Sequence, residues 1–162
     1  KSLPSYIVAQ MIGSMLGSFF VWFFYKKHFE ATENAETKKA VFCTAPAIRN
    51  KFYNLMSEII GTFILVFTIL NFTQATILDT KEIIGLGSLG AIPVSLLVLA
   101  IGISLGGTTG YAINPARDLG PRIIYSILPI KNKAPSDWSY SWIPVIGPIL
   151  GSSIAAIITL SI

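Results

Sequence analysis

Residues 3–25, LPSYIVAQMIGSMLGSFFVWFFY, contain no charged side chain. In a bilayer the backbone amides of such a run find no water, so the run can cross only as a helix with its hydrogen bonds closed internally. About 20 apolar residues suffice for the hydrocarbon core. The pattern recurs. Phe52 to Phe72 holds one charge, Glu58; Ile83 to Ser104 holds none and includes Pro93; Trp142 to Ile162 follows an aromatic cluster of Trp138, Tyr140 and Trp142. Charged residues make up 12% of the chain, against about 25% in soluble domains, which is too few to coat a water-facing surface. These features predict an all-α membrane protein: one domain over residues 1–162, a bundle of transmembrane helices with spans at about 3–25, 52–72, 83–104 and 142–162. A multi-pass place in the cell membrane follows, with the lipid bilayer as its solvent.

The same residues exclude several function classes. The net charge of +4 comes from connecting segments such as KKHFEATENAETKKAVFCTAPAIRNK and forms no continuous stripe, so no nucleic acid is expected. Cys43 and His28 are each the only residue of their type, which leaves no intramolecular disulfide and no thiolate metal cluster. No nucleophile–base pair, phosphate loop or paired carboxylate appears, so the expectation is a protein without enzymatic activity, metal or cofactor. Asn71-Phe72-Thr73 has the spacing of a glycosylation acceptor but abuts a span. The chain opens on KSLPSYIVAQ and stops inside GSSIAAIITLSI, which gives both ends the look of cuts.

One segment does not fit a plain bundle. GYAINPARDLGPR, residues 110–122, puts Asn114, Arg117, Asp118 and Arg122 close together around Pro115. It has the marks of a helix start: Asn114 as N-cap, Pro115 at the first helical position, Asp118 in the first turn near the positive end. A helix from Pro115 to Leu128 measures roughly 20 Å, about half a bilayer with headgroups. The glycine-rich run before it predicts unwound backbone from Gly106 to Ile113. Two arrangements satisfy this pattern. One is an extramembrane loop with a short surface helix; the other is a re-entrant loop and half-helix over about 105–128. The second requires that the loop be buried in protein or line a wet path. Glu58, six residues into its span, needs donors or water, and the loop amides can supply the donors. Gly13 with Gly17, and Gly147 with Gly151, have the four-residue spacing that permits close helix contact.

Gly110 to Arg122 resembles the major intrinsic protein family, within it the glycerol facilitators or aquaglyceroporins. Asn114, Pro115 and Ala116 followed by Arg117 match the family's second signature loop, and Asp118 continues it in the glycerol-conducting form. YIVAQMIGSMLGS resembles the family's third span, SEIIGTFILVF the fourth with Glu58, VLAIGISLGGTTG the fifth and WIPVIGPILGS the sixth. The family has six spans and two half-helices, each opening on such a motif, whereas this chain holds one motif. The resemblance therefore implies a C-terminal portion of a channel: four spans plus one half-helix, incapable of conducting alone. It also places ten basic residues (Lys26, Lys27, Lys38, Lys39, Arg49, Lys51, Arg117, Arg122, Lys131 and Lys133) on the outer side, with Lys1 and Lys81 opposite. The positive-inside rule opposes that orientation.

What the resemblance implies is passive conduction of glycerol and other small neutral solutes, with some water. A water-selective channel and a non-conducting structural protein of the same fold are the rivals. The carbonyls of Gly110, Tyr111 and Ala112 would accept from solute hydroxyls, while Asn114 and Arg117 would donate. The half-helix dipole and Arg117 would repel cations. Gly102, Tyr111 and Arg117 would form the selectivity filter, wide because Gly102 has no side chain. Glu58, Gln10 and Asp118 would support the loop. A homotetramer is the assembly implied.

Overall fold

The computed structural model describes residues 2–162. Its elements are helices α1 (Leu3–Phe24), α2 (Lys26–Ala31), α3 (Ala35–Ala40), α4 (Lys51–Leu70), α5 (Ile92–Thr109), α6 (Pro115–Ile127) and α7 (Ile143–Ser161), with a 3-10 turn, Gly87–Ala91, leading into α5. Four of them, α1, α4, α7 and the continuous Gly87–Thr109 segment, are long and apolar enough to cross a membrane. Many of their large side chains face outward, among them Leu3, Phe24, Leu96, Ile103 and Leu160. Such surface is unfavourable in water and appropriate in lipid.

Local chemistry accounts for the helix ends. Pro4, Pro93, Pro115 and Pro144 each stand in the first two positions of a helix, where a missing N–H costs nothing. Asn50 caps α4, its side chain accepting from Phe52 N and Tyr53 N at 3.1 and 3.2 Å. Asn34 caps α3 in the same way, accepting from Thr37 N.

Two expected boundaries are corrected. The third span does not begin at Ile83. Ile83 forms an isolated antiparallel bridge with Thr76, and regular helix starts at Ile92. Glycines at 85, 87 and 90 weaken helix before Pro93, and Gly87 takes φ +53°, outside the helical region. At the other end, the unwound run is shorter than Gly106–Ile113, because α5 continues to Thr109 and closes on Gly110. Gly110 adopts φ +75° and donates its N–H to Gly106 O at 2.8 Å, a left-handed cap that glycine takes without steric penalty.

The helices pack in four main pairs: α4 with α7, α1 with α6, α4 with α5, and α6 with α7. Glycines set the closeness. A Cβ on Gly147 would lie 2.5 Å from Glu58 Cβ, and one on Gly151 would strike the carbonyl of Ile59. Gly120 of α6 likewise leaves no room for a Cβ beside Ser14 of α1. By contrast Gly13 and Gly17 have nothing within 4 Å of such an atom. The expected close contact at that pair is absent among the described residues, since α1 turns its Ser14 face toward α6 instead.

On the side that carries α2, α3 and residues 128–142, an apolar cluster of Phe29, Phe42, Cys43, Tyr125, Leu128 and Ile130 roofs the end of α6. Phe42 stacks between Phe29 and Tyr125 at ring separations of 5.6 and 5.3 Å. That roof fixes where α6 can end and, through it, where its N-terminus sits inside the bundle.

Candidate functional site

After α5 the chain dips inward over residues 110–113 and returns as α6. Such a reversal has no ladder to satisfy its amides, and its backbone is strained: Gly110, Tyr111 and Ile113 have φ of +75°, +40° and +45°. For the two non-glycine residues this costs about 1–3 kcal/mol each. The compensating group is Glu58, 1% exposed. One carboxylate oxygen accepts from Ala112 N at 3.0 Å and the other from Ile113 N at 2.8 Å. Charged acceptors make the stronger class of hydrogen bond, and a buried carboxylate with one oxygen unmatched would be costly. Gly61, a turn beyond Glu58, admits Ile113 Cγ2 and Leu105 beside α4.

Asn114 then caps α6, its side-chain oxygen accepting from Ala116 N at 2.9 Å. Its amide nitrogen has no partner among the described residues, and the residue is exposed. Arg117 is exposed too and makes no ion pair among the described residues. Its guanidinium stands 4.9 Å from the centroid of the Tyr111 ring. Pro121, inside α6, has no N–H to give to the Arg117 carbonyl. Gly102 of α5 lies against the same ring: a Cβ there would be 3.2 Å from Tyr111 Cζ. The structure thus brings Gly102, Tyr111 and Arg117 together around the positive end of a half-helix.

Two features of this surface bear on the expectations. The phenol ring of Tyr111 lies in the space that a side chain on Gly102 would take, so the width expected there depends on that ring as well. Ala112 is 0% exposed, so its carbonyl does not open onto this face of the chain, whereas Gly110, Tyr111 and Ile113 remain partly exposed. For Ala112 the physical reason is Glu58, which accepts from the Ala112 and Ile113 amides and holds that stretch against α4. A further correction concerns Gln10. It is exposed and makes no hydrogen bond to the loop among the described residues, since the face of α1 that meets α6 carries Ser14.

Asp118 and Arg122, both 0% exposed, form the second polar node. Arg122 donates from Nε and Nη2 to the Asp118 carboxylate at 2.7 Å each. Its Nη2 also reaches Thr44 O at 2.9 Å, and Nη1 reaches Asp137 O at 3.2 Å and the carbonyl of Ser136. Thr44 returns its N–H and hydroxyl to Asp118 at 2.8 and 2.7 Å. One buried pair therefore ties the connectors on both sides of α6 to its first turns. Lys133 completes the job at the far end, donating to the carbonyls of Tyr125, Ser126 and Leu128 at 2.5–3.0 Å, where a cation suits the negative end of the helix. Thr44, Ser136 and Lys133 carried no sequence signal; a lysine shortly after a helix end was the nearest hint.

A short helix that packs back onto a bundle of apolar helices long enough to cross a membrane, with an arginine and an unpaired amide at its positive end, defines an integral membrane protein with a re-entrant segment. The comparisons with known proteins agree. The profile of the major intrinsic protein family matches residues 1–159. A glycerol uptake facilitator protein of Streptococcus pneumoniae serotype 4 is 51% identical over 157 residues, covering 97% of this chain and 64% of its own length. Glycerol uptake facilitator protein 3 of Lactiplantibacillus plantarum is 48% identical, covering 94% and 60%. Among solved structures, the aquaglyceroporin from Plasmodium falciparum superimposes with a TM-score of 0.75 at 30% identity, covering 96% of this chain and 62% of that one. The chain belongs to the major intrinsic protein family and is an integral membrane protein. It spans a little under two thirds of the length of these relatives.

Proposed function

We propose that this chain supplies one wall of a channel for passive diffusion of glycerol and similar small neutral solutes, with some water. The supporting observation is the Gly102–Tyr111–Arg117 juxtaposition at the N-terminus of α6. The ring of Tyr111 offers an apolar face to a carbon backbone. The Arg117 guanidinium and the Asn114 amide offer donors to its hydroxyl oxygens, and the partly exposed Gly110 and Tyr111 backbone offers acceptors to its hydroxyl protons. Arg117 and the half-helix dipole together set a positive potential that repels cations. The relatives' names point to the same solute. Lactic acid is a second reading, because a Lactiplantibacillus plantarum relative of 46% identity is named a D/L-lactic acid transporter. An assembly as a homotetramer belongs to this proposal as well.

Light scattering from vesicles holding the complete protein tests it. Under an inward glycerol gradient they shrink as water leaves and then reswell as glycerol enters. Shrinkage without recovery identifies a water-selective pore, and flux no faster than through bare lipid identifies a structural protein. Gly102→His pushes the Tyr111 ring from its place and is expected to lower glycerol flux more than water flux; equal loss of both removes the filter assignment.

A further inference from the structure

Where α1 ends, a cavity of about 290 Å³ opens between α1, α2 and residues 129–131. Its apolar lining includes Trp22, Phe29 and Ile130, and its polar lining is Lys26, Glu30 and Lys131. Lys27 holds the Glu30 carboxylate at 2.7 Å. Lys26 lies 5.8 Å from the Trp22 ring centroid. Neither Lys26 nor Lys131 makes an ion pair among the described residues, so the cavity wall carries two exposed ammonium groups and a carboxylate already engaged.

Depth decides what such a cavity meets. The 22 residues of α1 rise about 33 Å, close to the ~30 Å of the hydrocarbon core. Lys26, just past the end of α1, therefore stands at headgroup level, with Trp22 and Tyr25 in the interfacial belt where such rings concentrate. Below the lysines, α1 presents Phe19, Phe20, Phe23 and Phe24 outward, at 41–74% exposure. A positively charged hollow opening onto an exposed apolar helix face matches a ligand with an anionic head and an acyl tail.

We propose that this cavity binds an anionic phospholipid, its phosphodiester between Lys26 and Lys131, its glycerol region on Trp22, and its acyl chain along the phenylalanines of α1. A free phosphate satisfies the lysines and leaves that apolar surface unused, which favours the lipid.

Native mass spectrometry of the detergent-solubilised protein, titrated with phosphatidylglycerol and with phosphatidylcholine of the same acyl chains, tests this. Phosphatidylglycerol is retained in preference. The double change Lys26→Gln with Lys131→Gln weakens its retention roughly 30-fold, at about a kcal/mol per lysine. Lys81→Gln, in the connector opposite, leaves it unchanged. Lys26→Arg with Lys131→Arg keeps the preference, which separates loss of charge from loss of fold. Equal retention of the two lipids, or a Gln variant that still prefers phosphatidylglycerol, overturns the proposal. Displacement of the lipid by equimolar inorganic phosphate overturns it too and assigns the cavity to the free anion.

Discussion

Glu58 bears the heaviest duty of any single side chain here, because two strained peptides depend on its two oxygens. Glu58→Gln keeps the shape but replaces one acceptor with an NH₂ group that must face a backbone N–H. The expected result is a loss of about 2 kcal/mol in unfolding measured in detergent, with a fall in the glycerol flux proposed for the complete protein as residues 110–113 relax. Unchanged stability and flux refute the assignment. Cys43 offers a test without mutation. Burial pushes its thiol up to about 11, with Asp118 adding in the same direction and Arg122 and Lys39 opposing. Because the thiolate is the reactive form, maleimide labelling of the folded protein at neutral pH is expected to be slow and to accelerate on denaturation. That Glu58 would need donors was legible from one carboxylate in an apolar run. That the donors are Ala112 and Ile113, and not a water-filled cavity, was not, since it depends on how α4 is rotated against α5.

Among the elements, α6 is the one whose form was legible in advance. Asn114, Pro115 and Asp118 specify its first turn by chemistry that acts within four residues, so the start falls where capping rules put it. Its end is decided by Lys133 and by the aromatic roof, both brought in from outside the helix. Replacing Lys133 with Met is expected to fray the last turn at a cost of about 0.5–1 kcal/mol, read as faster amide exchange at residues 125–128, while Arg at this position retains most of the protection. The α4–α7 pair makes a sharper prediction. Gly151→Ala places a methyl group against the Ile59 carbonyl and forces the helices apart, for an expected destabilisation of about 1–3 kcal/mol. Gly17→Ala, where α1 is open, is expected to be neutral in the same assay. The sequence assigned the two glycine pairs equal standing; only packing distinguished them.

At the scale of the whole molecule, the connectors are stapled to the bundle by charge. Arg49 pairs with Asp137 and rests 5.5 Å from the Tyr140 ring, while Arg122 grips both connectors from below. Several of the basic residues crowding this side are engaged in this way, which gives the charge bias a structural use. Partial burial alone raises the Asp137 carboxyl, but hydrogen bonds from Arg49 and Ser139 and the charge of both arginines outweigh it and hold the group below the ordinary carboxylate range. A depressed carboxylate contributes stability that is present above its unfolded value and lost as pH falls through its folded one. Melting temperature is therefore expected to be flat near neutrality and to drop as pH falls into and below the carboxylate range. Asp137→Asn should remove part of that drop, a small part because Arg49 is half exposed and solvent screens the pair.

The sequence by itself determined the solvent, the helical class and the first turn of α6. Each of these follows from rules that act along the chain: lipid forbids an unsatisfied backbone, and capping reaches only one turn. Tertiary structure alone decided that Gln10 stays clear of the loop, that Ala112 turns inward, that Tyr111 fills the space beside Gly102, and that Asp118 and Arg122 clasp Thr44. Those outcomes depend on the rotation and separation of helices distant in sequence, which no local pattern encodes.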